Sequence, residues 1–484
     1  ALGTDIANMS TAAMSVLTSA QLAAFTTAQA ATLDSADVAA LTSAAFDGFN
    51  TADLNALTSA ALVGMTAAQV DTLNSADVQA LGTDIANMNT SAMASLDSAQ
   101  VAALTTAQIA AFDTADVAAL TSAAVVGLSS AQVAVLSSDA FAALGTAALG
   151  ALTNAAVAGI TSDQITTLDT ADIVALNTDI ANLSTDAMAT LVSAQLAAFT
   201  TAQAAALDSA DVAAIVNTEF DGFGTADLEA LTSAAISGMT AGQVDTLSTA
   251  DLQALGTDIA NMNTAAMASL DSAQVAALTT AQIAALDSAD VAALTNAAVI
   301  GLSSAQVAVL SSTAFNALGT GALAALTSSA VAGITTAQIG TLDTADIVAL
   351  NTDIANLSTA AMSTLTSVQL GAFATAQAAA LDSADVAALN SAGFDGFNTA
   401  DLVALTSSAI AGMTATQVDT LSTADVVALG TDIANMNTAA MASLDSVQVA
   451  AFTTAQIAAL DSADIAALTS DAIAGLTSAQ VAAL

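Results

Sequence analysis

The chain contains no lysine, arginine or histidine in 484 residues, and no cysteine, proline, tryptophan or tyrosine. Each absence closes a class of function. Without cations the net charge is −43 at pH 7, so nothing can neutralise a phosphate backbone and nucleic acid is excluded as a partner. Anionic membrane surfaces are disfavoured for the same reason. Without cysteine there is neither a disulfide framework nor a thiolate metal site. The many serines and threonines have no histidine or lysine to act as a base, so nucleophilic catalysis lacks its first requirement. Carboxylate acid–base chemistry needs two groups with separated pKa values, and a uniform acidic array offers no such asymmetry. No glycine-rich phosphate loop is present. The chain is therefore expected to be no enzyme, with no cofactor and no small-molecule substrate. No apolar run approaches the roughly 20 residues of a membrane-spanning helix, because Thr, Ser or Asp interrupts every few positions; insertion into a membrane is not expected. The opening Ala1-Leu2-Gly3-Thr4 already lies inside a repeat and does not read as a signal peptide.

What is present is one octapeptide, copied with small changes from end to end. Leu33-Asp34-Ser35-Ala36-Asp37-Val38-Ala39-Ala40 shows its form: Leu, a polar residue, Ser or Thr, Ala, then Gln, Asp or Ala, then Val or Ile, and two small residues. Thr18-Ser19-Ala20-Gln21 is a helix capping box, in which the cap oxygen takes a free amide and Gln reaches back to the cap. Asp34-Ser35-Ala36-Asp37 is the same device made of carboxylates, which the positive end of a helix favours. The alanine-rich remainder supports helix over strand.

One continuous helix is excluded by the period. At about 100° per residue an octad turns about 800°, so the Leu stripe would drift by about 80° per repeat. The helix must restart at each cap. Helices of about two turns are unstable alone, so stacked neighbours have to stabilise them, and the expected fold is an all-α solenoid of short capped helices. No composition shift or linker divides residues 1–484, which read as a single repeat solenoid.

Six repeats are one residue short. They start at Leu2, Leu81, Leu176, Leu255, Leu350 and Leu429 and continue (Gly/Asn)-Thr-Asp-Ile-Ala-Asn, with spacings that alternate between 79 and 95. A super-repeat follows, covering 2–175, 176–349 and a shortened 350–484; Phe46-Asp47-Gly48-Phe49 returns on it at Phe220 and Phe394. The chain is expected to be a piece of a longer protein. Counted from Leu2, Gly at the last octad position (Gly48, Gly64, Gly127, Gly159) falls in even repeats, whereas odd repeats mostly carry Gln or Asp at position five (Gln21, Asp37, Asp53, Gln69). The short repeats recur after ten and then twelve repeats; two divides both numbers and three does not divide both. These patterns predict a solenoid with two helices, about 16 residues, per coil. Some 60 repeats would then make about 30 coils, a slender rod of about 240–300 Å at roughly 8–10 Å per packed helix.

Asp pairs three apart occur at Asp34/Asp37, Asp113/Asp116, Asp169/Asp172, Asp208/Asp211, Asp287/Asp290, Asp343/Asp346, Asp382/Asp385 and Asp461/Asp464. They are weak candidates for Ca²⁺, which wants six to eight oxygens; helix capping accounts for them more simply, with loosely bound Ca²⁺ screening the acidic surface. The Phe-Asp-Gly-Phe stretches are either lateral contacts or core filling. Regularly spaced Thr also raises an ice-binding surface, although Thr, Asp, Asn and Ser alternate freely at that position. A hydrophobic content of 55% suggests apolar surface buried against another copy, and so self-association.

Strings such as Leu104-Thr105-Thr106-Ala107-Gln108-Ile109-Ala110-Ala111 and Leu41-Thr42-Ser43-Ala44 resemble the repeat arrays of very large bacterial secreted or surface proteins, of the giant adhesin or haem utilisation/adhesion exoprotein type. The resemblance spans the whole chain. The Gly-Gly-x-Gly-x-Asp calcium nonapeptides common in such proteins are absent here. The resemblance implies a bacterial protein at the cell surface or outside the cell. Its role would be a structural filament, stalk or sheath, or the spacer of an adhesin whose binding domain lies outside this stretch.

Overall fold

The computed structural model describes residues 3–484. Among them are 54 α-helices of four to six residues and seven 3-10 helices, with no strand. The chain is an all-α repeat solenoid, as the octad requires. It divides into two compact units, one ending at Thr246 and one from Leu247 to Leu484.

Each octad makes one corner and one helix. In Ser43–Phe46 the cap residue Thr42 has φ −66° and ψ 150°, an extended conformation, and Leu41 before it has φ −66° and ψ 132°. Two extended residues break the helical run and turn the chain. The side of each helix formed by positions one, five and six is buried: Leu41, Ala45 and Phe46, or Leu57, Ala61 and Leu62.

The coil has three helices, not two. In both units, every pair of non-consecutive elements in close contact is separated by two others. In the first unit Ser35–Ala40 packs on Ser59–Leu62, which packs on the 3-10 helix Gly82–Asn87, which packs on Thr106–Ala110. In the second, Thr280–Ala285 packs on Ser304–Val309 and that on Ser328–Val331. A coil therefore takes three octads, and the 61 elements make roughly twenty coils rather than thirty. Burying three positions per octad on one side suits a closed triangle around a central core.

The odd–even alternation has a different cause from the one the sequence suggests. Because three is odd, stacking alternates odd and even repeats up each face. Gly64 lies against the backbone of Ser35, Gly127 against Ser98 and Gly159 against Ser130, in each case the serine that opens the helix one coil earlier. A Cβ at any of these glycines would fall on the serine carbonyl oxygen. Glycine therefore marks close approach between coils. Nor need the short repeats return to one face. The pair at the wider spacing, Gly256–Asn261 and Asn351–Asn356, share a face, and the next, at Gly430–Asn435, moves to another.

The six short repeats form six of the seven 3-10 helices (the seventh, Asn217–Gly222, lies in the full octad opened by Ile215). The first is expected from Leu2, which lies outside the described residues; its remainder, Gly3–Asn8, is a 3-10 helix. In each, the second residue enters the left-handed region: Gly82 at φ 56°, Asn177 at 49° and Asn351 at 48°. The Gly/Asn choice there is the one that this backbone tolerates.

Candidate functional site

The polar residue at position five is the one chemically variable group on the buried side of the helix. Its oxygen caps its own helix. Thr26 donates its backbone N–H to Gln29 Oε1 at 3.0 Å, while the Gln29 amide donates back to Thr26 Oγ1 at 3.3 Å. The hydroxyls of Thr26 and of Thr18 also join their backbone amides in donating to Gln29 Oε1 and Gln21 Oε1.

The nitrogen end of the same side chain has a second task that capping did not suggest. Gln69 Nε2 donates to the carbonyl oxygens of Val38 (2.7 Å) and Leu41 (2.8 Å) in the preceding coil. Gln100 repeats this with Val70 and Leu73, Gln132 with Val101 and Leu104, Gln164 with Val133 and Leu136, and Gln195 with Ile165 and Leu168. From Gln100 onward each amide thus reaches the residue that follows the previous Gln of the series. In the second unit Gln306, Gln338 and Gln369 continue in the same way. The carbonyls served are those freed where a helix ends. The signal was in the sequence, as the recurrence of Gln every four octads, less one residue where a short repeat intervenes. Only with three helices per coil do those positions meet.

The Asp pairs sit at the same caps. Asp34 Oδ1 accepts from the amides of Ala36 and Asp37 at 2.8 and 2.9 Å, and Asp37 Oδ2 accepts from the Asp34 amide at 3.1 Å. Asp113/Asp116 and Asp169/Asp172 repeat the arrangement. The second Asp of these pairs is pushed up from the ordinary aspartate value. Desolvation by burial is the largest cause; the neighbouring carboxylate adds to it, and the backbone hydrogen bond opposes it. No group of three or more acidic residues able to hold a metal occurs among the described residues.

The Phe-Asp-Gly-Phe stretches fill the core. Phe46 is fully buried and meets Phe49 edge to face at 5.4 Å, and Phe49 meets Phe25 at 5.8 Å. The clusters at Phe199/Phe220/Phe223 and Phe373/Phe394/Phe397 match it. Hydroxyls at position two are largely used as caps; Thr42 and Thr58 accept from the amides of Ala45 and Ala61. No helix among the described residues is long and apolar enough to cross a membrane.

Fold and repeat together define an α-helical repeat protein whose polar interior groups tie coil to coil. The ALTTAQ repeat matches residues 46–83, 83–114, 109–146, 256–288, 283–320, 315–352, 396–431, 430–462 and 457–484, more than half of the chain. The chain belongs to this family. Its eponymous string stands at Ala103–Gln108 and at Ala277–Gln282, so it spans the end of one helix, the corner, the cap and the inter-coil Gln. No curated protein matches the chain.

Proposed function

We propose that this protein is a structural element, a self-associating filament, stalk or sheath component at the cell surface or outside the cell. The observation that carries this reading is the use of the polar interior. From Gln69 to Gln480 the position-five amides bind backbone carbonyls of the preceding coil, so the chemistry of the repeat goes into holding successive coils at a fixed spacing. The acidic surface, unbalanced by any cation, would keep copies apart at low ionic strength and let divalent cations bring them together.

Electron microscopy of the native material, with Ca²⁺ and then with chelator, tests the proposal. Continuous filaments with lateral contacts, and a layer spacing of about 8–10 Å per three-helix coil, would support it. Separate molecules ending in a non-repetitive globular domain would support the spacer of an adhesin instead.

A further inference from the structure

The two long inter-coil Gln series, Gln69 to Gln195 and Gln243 to Gln369, each end in Asp, and the same step from Gln21 also leads to Asp. Four octads after Gln21 stands Asp53, after Gln195 stands Asp227, and after Gln369 stands Asp401. By the register of the series, these side chains sit over the ends of Ser19–Leu22, Ser193–Leu196 and Ser367–Leu370. Gln would donate there to the carbonyls of Leu22 and Phe25, Leu196 and Phe199, or Leu370 and Phe373. An ionised carboxylate has no hydrogen to donate.

The three aspartates are nearly inaccessible, at 1%, 7% and 1% exposure. One oxygen of each is occupied at its own cap: Asp53 Oδ2 accepts from Asn50 Nδ2 at 2.6 Å, Asp227 Oδ2 from the Gly224 amide at 3.3 Å and Asp401 Oδ2 from the Asn398 amide at 3.4 Å. The other oxygen of Asp401, Oδ1, is the buried side-chain polar atom without a partner among the described residues. The surroundings are the three phenylalanine clusters: Phe25, Phe199 and Phe373 each pack a ring against the Phe that opens the aspartate's own octad.

We propose that Asp53, Asp227 and Asp401 are neutral carboxylic acids in the folded chain, each donating its proton to a carbonyl of the preceding coil, so that these three junctions are pH-sensitive latches, one in each super-repeat. Protonation restores the donor that Gln supplies elsewhere; deprotonation opposes a buried anion to carbonyl oxygens.

No cationic side chain exists in the sequence to offset the charge. The helix of Asp401, Thr399–Ala404, packs on Thr375–Ala380, which has no titratable group, and on Thr423–Ala428, which has Asp425. Asp53's helix Thr51–Ala56 packs on Thr27–Ala30, with none, and on Ser75–Ala80, with Asp77. Asp227's helix Thr225–Ala230, which also carries Glu229, packs on Thr201–Ala206, with none. Asp47, Asp221 and Asp395 stand exposed at the preceding corners. All of these are acidic. Burial also pushes all three carboxyls up from the ordinary value of 3.8.

The test compares the full chain with D53N/D227N/D401N and with D47N/D221N/D395N, a control that removes the same charge at exposed sites. The urea midpoint of the native protein is expected to fall as pH rises above 3.8, and the buried-site variant to lose part of that fall while the control keeps it. Carbon-13 NMR of aspartate-labelled protein should show, among the carboxyls titrating above 3.8, three that are absent only from the buried-site variant. Three carboxyls titrating with the bulk would overturn the proposal, as would equal pH profiles for the two variants. So would recovery of the native midpoint at neutral pH on adding Na⁺ or Ca²⁺ at constant ionic strength, which would show carboxylates held by a cation. If the buried-site variant does not fold, the NMR titration of the native chain decides.

Discussion

The side-chain amide of Gln69 lies 2.7 Å from the carbonyl oxygen of Val38, a residue 31 positions earlier at the end of a helix one coil below. A hydrogen bond of this kind at each step of a Gln series links cap chemistry, which is local, to coil stacking, which is not. A Gln side chain here has its oxygen on its own helix and its nitrogen on the neighbouring coil.

Changing Gln338 to Glu should therefore damage the stack while leaving the cap intact. When ionised, the carboxylate can still accept at Thr335, but it cannot donate to the carbonyls of Val307 and Leu310, now at 2.8 and 2.9 Å from Nε2. A loss of about 1–3 kcal/mol is expected for the buried groups left unpaired. Hydrogen exchange should place it in the coils on either side, since a solenoid transmits stability through neighbours.

Glycine substitutions should separate two physical reasons for glycine. Gly159→Ala puts a methyl group on the backbone of Ser130 and should destabilise by about 1–3 kcal/mol through overpacking. At Gly82 the added carbon meets open space, but φ is 56°; Gly82→Ala should cost about 1–2 kcal/mol. Gly82→Asn should cost less, since Asn177 and Asn351 hold the equivalent place. Urea denaturation of the three variants checks the order.

Acidification should stabilise the coils that contain Asp37, Asp116, Asp211 and Asp290. All four are pushed above 3.8, chiefly by burial, so the folded chain binds their protons more tightly than the unfolded chain does. Their contribution is fully present below 3.8 and is lost as pH rises through the higher folded values. Asp116→Asn should flatten this slope in the coils around residue 116, read by hydrogen exchange at several pH values. An unchanged slope would remove Asp116 from the explanation.

Phe46 is among the largest fully buried side chains of the chain. Phe46→Ala should cost about 3–5 kcal/mol, whereas Phe46→Leu, which keeps more of the volume, should cost less. The same pair of changes at Phe394 should behave alike, because its ring sits at the same 5.4 Å from the next Phe. Thermal denaturation followed by circular dichroism would measure both pairs.

Helix type, helix length and cap chemistry could be read from the octad alone. Leu33 through Ala40 contains its own start signal, and at about 100° per residue the repeat length forbids a continuous helix, so the all-α solenoid follows from local stereochemistry. The capping role of Asp34 and Gln29 is local in the same sense, acting within a single helical turn. The number of helices per coil was decided elsewhere. It depends on the angle at which each corner, such as Leu41-Thr42, joins two helices and on how three buried positions per octad close a core, and neither quantity is written in the period. The even placement of Gly64 and Gly159 fits two columns of helices or alternating coils of three; only the contact with Ser35 and Ser130 separates them. For the same reason the outward half of the Gln role, and the misfit of Asp53, Asp227 and Asp401 within it, emerged only when residues about four octads apart were brought into hydrogen-bonding contact by the tertiary stack.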